Sequence, residues 1–274
     1  MRMLLWCDGA RDARENMQRD ARLLERAASG DEPRTILRLF TFAPPGITVG
    51  YNQDPARELD RERLLADGFT WAVRPTGGRA IFHAQEWTFS LVTPLGADGW
   101  AADAASAYAR TCGLLLRALR ALGVPVELSP GSPSGVGAPR SAGGPAAPCF
   151  ASTARHELTL DGRKFAGIAQ RRVRGALLQQ GSLLLGDGHL RLADYLAIPA
   201  ERREAVRASL AAASAHAGSY LPAAAGLADL ESALARELPA AARAQGGDVP
   251  VNLDRDALPE ALPSRSPASY TARS

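Results

Sequence analysis

Two short runs of sequence decide how this chain is interpreted, and the first is Arg74-Pro75-Thr76-Gly77-Gly78-Arg79-Ala80-Ile81-Phe82-His83. It follows Trp71-Ala72-Val73, which has the composition of a short strand. Paired glycines after a strand allow backbone amides to turn toward a ligand and approach it closely. The pattern is neither a Walker loop nor GxGxxG, so it does not by itself indicate a phosphate site, and an ordinary hairpin turn is the alternative.

The second run is Gly162-Arg163-Lys164-Phe165-Ala166-Gly167-Ile168-Ala169-Gln170-Arg171-Arg172. Its first residue, Gly162, is the second residue of Asp161-Gly162, a dipeptide typical of a two-residue type I′ hairpin turn. Such a turn sets Thr159 opposite Lys164, and side-chain alternation then puts Glu157 on the face of Lys164. One interpretation is that Lys164 is a cross-strand neighbour of Glu157 on a solvated face. The other is that its ammonium points into a cleft, where it polarises a carbonyl or stabilises a thiolate.

A cysteine, Cys149, lies upstream of this hairpin and ends a stretch of Gly, Pro, Ser and Ala over residues 129–148. A free thiol has a pKa of about 8.5, and a positive neighbour within about 4–6 Å lowers that pKa by about 1–3 units. The thiolate is the form that acts as a nucleophile. Cys149 and Lys164 are therefore the candidate catalytic pair, whereas Cys7 and Cys112 fit small apolar residues of a strand and a helix.

Two further side chains are candidates for the site. His83 ends the glycine-loop strand and could bind substrate, act as a base or be structural. Asn16, in the first predicted helix, is expected to hold the glycine loop by hydrogen bonds. His156, His189 and His216 receive no role.

The bulk properties exclude several classes of function. A net charge of +3 over 274 residues gives no nucleic-acid footprint, and no apolar run reaches the roughly 18 residues that span a membrane. The three cysteines lack a CxxC or framework spacing, so we expect no metal site, no disulfide scaffold and a cytoplasmic location. Arg171, Arg172 and Arg174 form either a solvated strand end or a dock for an acidic partner.

Periodicity predicts helices over 11–29, 54–67, 103–122, 189–197, 200–217 and 226–245. It predicts strands near 2–7, 36–42, 47–51, 71–73, 80–83, 86–93, 124–128, 156–160, 163–169 and 176–185. Because strands and helices interleave, we expect a single α+β domain, a mixed β-sheet packed by helices, over residues 1–245. Residues 246–274 lack periodicity and are predicted to form a disordered C-terminal tail.

The chain resembles the biotin/lipoate protein ligase and lipoyl-transferase superfamily, and most specifically its cysteine-using LipM-type octanoyltransferases. Four segments over roughly residues 1–245 carry the resemblance: Glu15-Asn16-Met17; Arg74 to His83 with Glu86-Trp87-Thr88-Phe89-Ser90; Cys149-Phe150 with Glu157-Leu158; and Gly162 to Gly167 through Ala169-Gln170 to Leu178-Gln179-Gln180-Gly181-Ser182.

The resemblance implies a reaction as well as the fold of that catalytic domain. An octanoyl group would pass from octanoyl-acyl carrier protein to Cys149 as a thioester, and a lysine of a lipoyl domain, typically the glycine cleavage system H protein, would then attack it. Lys164 matches the lysine that lowers the nucleophile's pKa, and the acyl-pocket loop is matched by Arg74, Gly77, Gly78 and His83. No cofactor is expected, because a thioester is already activated. Movement of loop 129–148 would deliver Cys149.

Three alternatives remain. An ATP-dependent lipoate–protein ligase would use Lys164 and the glycine loop for an acyl-adenylate, although Arg79 stands where a third glycine would and Cys149 would be idle. An inactive relative would only bind acyl carrier protein or a lipoyl domain. A cysteine hydrolase would pair Cys149 with His83 or His156, without a local protease signature.

Four positions depart from the pattern of the relatives and leave the acyl chain and the acceptor open. They are Ala84 in place of Asp, Ile168 in place of Asn or Ser, Gln180 in place of His, and His156 in place of an aromatic residue.

Overall fold

The computed structural model describes residues 3–96, 100–129 and 157–243. The strands in these ranges are β1 Met3–Arg11, β2 Thr35–Phe42, β3 Gly46–Val49, β4 Thr70–Val73, β5 Ile81–His83, β6 Glu86–Pro94, β7 Glu127–Leu128, β8 Leu158–Leu160, β9 Arg163–Lys164, β10 Ala166–Val173 and β11 Ala176–Leu184. The helices are α1 Ala13–Ser29, α2 Pro55–Glu58, α3 Arg61–Ala66, α4 Ala104–Ala121, α5 Leu192–Tyr195, α6 Ala200–Ala213 and α7 Leu227–Arg243, with a 3₁₀ turn at Asp187–Arg191.

Five strands form the main sheet, in the order β1-β2-β6-β11-β10. β1 runs parallel to β2, and the other three pairs are antiparallel, so the sheet is mixed as predicted. Strand β2 is buried along both faces because helices cover each side. Leu37 and Leu39 belong to the core shared with α4 and α7, whereas Ile36 packs with α1.

Helix α1 begins and ends where its local chemistry dictates. The Asp12 side chain accepts a hydrogen bond from the Glu15 amide at the N-cap, and Gly30 closes the helix with φ 87°. Glycine adopts this left-handed conformation without the steric cost that a Cβ imposes. The predicted C-terminal bound of this helix is therefore confirmed, whereas its start lies two residues later than predicted, because β1 extends to Arg11.

The glycine loop connects two strands that do not pair with each other. In the three-stranded sheet β4-β3-β5, β4 is parallel to β3 and β5 is antiparallel to it on the opposite side. The loop thus crosses over β3, and the hairpin-turn alternative is wrong.

The predicted Asp161-Gly162 hairpin is confirmed. Both turn residues have positive φ, 51° and 71°, and Thr159 is paired with Lys164. At Phe165 the chain leaves the small sheet β7-β8-β9 and continues as β10 in the main sheet. The single predicted strand 163–169 is therefore divided between two sheets.

Two predicted helices are shorter than expected. The 54–67 helix is interrupted at Leu59, which is buried and bridges to Leu196, and Asp60 then caps the next helix through the Arg63 amide. The 200–217 helix ends at Ala213, because Ser214 turns extended and bridges to Lys164. Tertiary pairing overrides helical periodicity at both places.

Within the described ranges, no helix is long and apolar enough to cross a membrane. The predicted tail, 246–274, lies outside the described residues.

Candidate active site

The glycine loop is shaped by close backbone packing. Gly78 has φ 95°, in the left-handed region that favours glycine. A Cβ built on Gly50 would lie 1.9 Å from the Gly78 carbonyl oxygen, so position 50 also requires glycine for this loop to lie where it does. Gly77 has open space beside its Cα, since a Cβ there would meet no atom within 4 Å.

Arg74 holds this loop from within its own segment. Its side chain is buried, and Nη2 donates to the carbonyl oxygens of Gly77 at 2.7 Å and Arg79 at 2.8 Å. Nη1 lies 3.3 Å from the carbonyl oxygen of Thr48 on β3. Arg74 therefore fixes the shape of the loop with which the sequence groups it.

His83 belongs to a buried polar cluster at the end of β5. Its Nδ1 lies 2.6 Å from Glu86 Oε1, its Nε2 lies 2.7 Å from Thr48 Oγ1, and its ring stacks on Phe42 at 3.9 Å. Glu86 Oε1 also accepts a hydrogen bond from Ser182 Oγ at 3.0 Å. The imidazole is thus fixed by contacts on both nitrogens and on one face.

A small cavity of about 70 Å³, partly open to solvent, lies between the glycine loop and the main sheet. Its exposed lining is mostly apolar. The walls are formed by residues of α1, the three-stranded sheet and strands β6, β10 and β11: Met17, Thr48, Arg74, Gly78, Ile81, His83, Thr88, Gly167, Ile168, Ala169, Gln180, Gly181 and Ser182. Of the four residues that the resemblance assigns to the acyl-pocket loop, Arg74, Gly78 and His83 therefore line one cavity, and Gly77 is not among its lining residues.

Gly181 on β11 lies at the cavity wall and has no room for a side chain. A Cβ at this position would lie 2.4 Å from a ring carbon of Phe89 and 3.0 Å from Ile168. Any larger residue would force these neighbours to move.

Lys164 is buried, which excludes the solvated-face interpretation. Its Nζ donates to Glu157 Oε1 at 2.9 Å, and the two side chains are 6% and 7% exposed. The predicted sharing of a face is confirmed, and the pair lies on the segment that leads into cavity residues Gly167–Ala169. Neither Lys164 nor Glu157 is among the residues that line the cavity.

The predicted nucleophile, Cys149, lies outside the described residues, as does His156. The two described cysteines are poor candidates. Burial raises the pKa of Cys112 to about 12, and Glu157 adds to the rise. Burial also raises the pKa of Cys7, although its residue is exposed on β1 rather than packed as predicted. Both thiols are protonated at neutral pH.

Asn16 does not hold the glycine loop as predicted. Its Nδ2 donates to the carbonyl oxygens of Arg11 and Thr41, and its Oδ1 accepts from Arg38 Nη2 at 2.6 Å. It lies on the inner face of α1 against β2. Asn16 therefore anchors the helix to the main sheet.

A buried charged network behind the cavity escapes sequence reasoning. Arg38, fully buried, pairs with Asp8 and Asp20 at 2.8 Å each. Asp20 Oδ2 in turn accepts from Gln180 Nε2 at 2.6 Å. The signal in the sequence is weak: a single arginine inside the apolar run 36–42.

No group of three His, Cys, Asp or Glu side chains in the described part of the chain is arranged to hold a metal ion.

Residues 12–239 match the family described as the lipoyl protein ligase A/B catalytic domain. The chain belongs to this family. Octanoyltransferase LipM of Kyrpidia tusciae is 36% identical over 194 residues, which cover 71% of this chain and 70% of that relative. Octanoyltransferase LipM of Moorella thermoacetica is 35% identical over 211 residues, 76% of this chain and 73% of the relative.

The fold agrees with this assignment. The bipartite lipoate protein ligase of Thermoplasma acidophilum superposes with a TM-score of 0.65 at 19% identity, over 88% of this chain and 84% of that one. The predicted α+β fold of the ligase catalytic-domain type is confirmed.

Proposed function

We propose that this protein transfers an octanoyl group from octanoyl-acyl carrier protein to a lysine of a lipoyl-domain protein, through a thioester on Cys149. Octanoyl transfer in protein lipoylation is supported by curated octanoyltransferase relatives at 35–36% identity over most of the chain. These relatives favour the transferase over the ATP-dependent ligase and the inactive binding module.

One observation carries the substrate class: a mostly apolar cavity bounded by the glycine loop on one side and by β10 and β11 on the other. A linear acyl chain gains about 0.8 kcal/mol for each methylene that it buries. The polar cluster at His83 and the donors of Arg74 fix the loop side of this cavity. The site therefore suits an apolar chain with a single polar end.

The chemistry follows from Cys149 and Lys164. The Cys149 thiolate attacks the thioester carbonyl carbon, a new C–S bond forms, and the carrier departs as a thiol after taking up a proton. The neutral amine of the acceptor lysine then attacks the acyl-enzyme, the amide bond forms, the amine loses a proton, and the Cys149 thiolate is released. The ammonium of Lys164 stabilises the thiolate before the first step and after the second.

Covalent catalysis separates the two large carriers in time. The donor and acceptor proteins therefore do not need to be bound at the cavity at the same time. Because the donor thioester is already activated, the transfer needs no nucleotide. A glycine cleavage H-type acceptor and a cytoplasmic location stay predictions from the sequence.

Intact mass spectrometry tests the acyl-enzyme. Mixed with octanoyl-acyl carrier protein, the full chain should gain one octanoyl mass that hydroxylamine removes and that is absent in Cys149→Ala. Cys112→Ala is the matched control and should still be acylated. An adduct that persists in Cys149→Ala would overturn the assignment of the nucleophile.

A second experiment separates transfer from ligation. The protein is incubated with octanoate, ATP and an apo lipoyl domain, and labelling of the lipoyl domain is measured. We expect none above background. ATP-dependent labelling that survives Cys149→Ser would favour the ligase, and release of free octanoate from the donor would favour the hydrolase.

A further inference from the structure

Two side-chain hydrogen bonds join the glycine loop to strands on the opposite side of the cavity, and in one of them Arg171 Nη1 on β10 donates to the Pro75 carbonyl oxygen at 3.0 Å. The other lies at the cavity wall itself. Thr76 Oγ1 donates to Gln180 Oε1 on β11 at 2.7 Å, across 104 positions of sequence. The contacts of Arg74 differ in kind, since they close on carbonyl oxygens of the loop itself. The Thr76–Gln180 hydrogen bond therefore joins the two walls, while Arg74 shapes one of them.

The far side of Gln180 is held by buried charges. Its Nε2 donates to Asp20 Oδ2 at 2.6 Å and lies 3.4 Å from the sulfur of Met17. Asp20 Oδ1 accepts from Arg38 Nη1 at 2.8 Å and from Ser90 Oγ at 2.7 Å. Asp20 on α1 and Arg38 on β2 are fully buried, so the amide of Gln180 is held by a carboxylate that is itself part of a buried ion pair.

The chemistry of an amide explains why this position can serve both neighbours. A carboxamide presents an acceptor oxygen and a donor nitrogen at once, so it accepts from the Thr76 hydroxyl and donates to the Asp20 carboxylate. A glutamate at this position would put a second carboxylate against Asp20. A leucine would leave both neighbours without their partner, at the cost of burying unsatisfied polar groups.

We propose that Gln180 is a positioning residue that sets the width of the acyl cavity by fixing the glycine loop to the buried Asp20–Arg38 pair. Gln180 and Met17 both line the cavity, so the contact lies at its wall. Without the Thr76–Gln180 hydrogen bond the loop is free to move away from β11. The cavity then widens and makes fewer contacts with the acyl chain. The kinetic consequence rests on the proposed function, whereas the conformational one does not.

Hydrogen–deuterium exchange of the ligand-free protein tests the conformational part. In Thr76→Val, which keeps the side-chain shape, the amide of Tyr51, which donates to the Thr76 carbonyl oxygen at 2.9 Å, should exchange about five to ten times faster, as expected for the loss of one hydrogen bond. Gln179→Leu is the matched control: Gln179 is a buried amide on the same strand whose side-chain oxygen accepts from Gln170 Nε2 on β10, and its loss should leave the Tyr51 amide unchanged. Unchanged exchange in Thr76→Val would overturn the proposal.

Rates of Cys149 acylation by octanoyl-acyl carrier protein test the kinetic part. Thr76→Val should raise the half-saturating donor concentration about five-fold and leave the limiting rate within about two-fold. Thr76→Val combined with Gln180→Met should be no worse than Gln180→Met alone, because both remove the same contact. If the double variant instead loses donor affinity by the product of the two single losses, Thr76 and Gln180 act independently and the proposal is wrong.

Gln180→His supplies a second variant in case Gln180→Met does not fold. A neutral imidazole also carries one donor and one acceptor nitrogen, so this variant should restore most of the wild-type donor affinity. A Gln180→His protein as weak as Gln180→Met would contradict the donor–acceptor requirement. Absence of any adduct on the wild-type protein would refute the proposed function and leave the exchange result standing.

Discussion

Two buried cations in this molecule illustrate two uses of charge. Arg38 lies inside the main sheet, where its guanidinium contacts the carboxylates of Asp8 and Asp20 and the side chain of Asn16. Lys164 lies where the chain passes between two sheets, with its ammonium 2.9 Å from one oxygen of Glu157. A guanidinium is planar and permanently charged, whereas an ammonium is a compact charge whose donors rotate. We infer that Arg38 holds structure and that Lys164 is available for chemistry.

Removal of Arg38 should have the largest effect on stability. Arg38→Met removes the arginine that pairs with the buried carboxylate of Asp20, whereas Asp8 keeps its contacts with Arg11 and Arg19, and we expect the free energy of unfolding to fall by about 3–5 kcal/mol. Urea denaturation followed by circular dichroism measures this change. Arg57→Met is the control, because the Arg57–Asp54 pair is exposed and should contribute less than about 1 kcal/mol. Equal losses in the two variants would contradict the structural role of Arg38.

Lys164→Met should affect catalysis more than the fold. We expect Cys149 acylation to slow by about 10²–10³-fold, because the positive charge beside the reacting group is gone. Combining it with Glu157→Gln should recover stability, since the orphaned carboxylate is neutralised, without recovering the rate. Recovery of the rate in the double variant would show that Lys164 acts through folding alone.

The same lysine should set the reactivity of the thiol. In Lys164→Ala the pKa of Cys149 should rise by about a unit or more, because a nearby positive charge favours the thiolate. Alkylation rate against pH measures it, with Cys7 and Cys112 replaced to isolate the signal. If the dependence of alkylation rate on pH is the same as in the parent protein, Lys164 has no electrostatic effect on the thiol.

His189, a third buried group, should have the smallest effect on stability. Unlike Arg38 and Lys164, it is favoured by the folded protein in its neutral form. Burial lowers the pKa of His189 below the ordinary 6.5. The unfolded chain therefore takes up a proton before the folded one does, and stability is lost as pH falls below about 6.5 and levels off below the folded pKa. In His189→Asn, the free energy of unfolding should therefore depend less on pH between about pH 7 and 5. If the free energy of unfolding of His189→Asn still falls between pH 7 and 5, another group causes that pH dependence.

The elements came from local signals in the sequence. The hairpin at Asp161-Gly162 follows from two residues that tolerate positive φ, and the bounds of α1 follow from Asp12 and Gly30. By contrast, Leu59 and Ser214 ended predicted helices, because each forms a bridge to a distant residue. Local propensity contains no information about such partners.

The site was predicted in part. The paired glycines and His83 stand out next to a strand, Arg74 was assigned through the family resemblance, and the structure brings His83, Arg74 and Gly78 to one cavity. Asn16 was assigned to the wrong partner, Glu86 and Thr76 received no role, and Gln180 was noted only as a departure from the relatives. Their contacts are hydrogen bonds between elements, and no periodicity marks them.

The sequence by itself determined most of the strands and helices, the turn at Asp161-Gly162, and that a lysine and a glutamate share one face of a hairpin. These features depend on neighbours a few positions apart, where backbone conformation and side-chain alternation decide the outcome. Only the tertiary structure decided that the glycine loop crosses over β3, that Lys164 is buried, and that Thr76 meets Gln180. These depend on which surfaces exclude water together, and that is settled by packing of the whole chain.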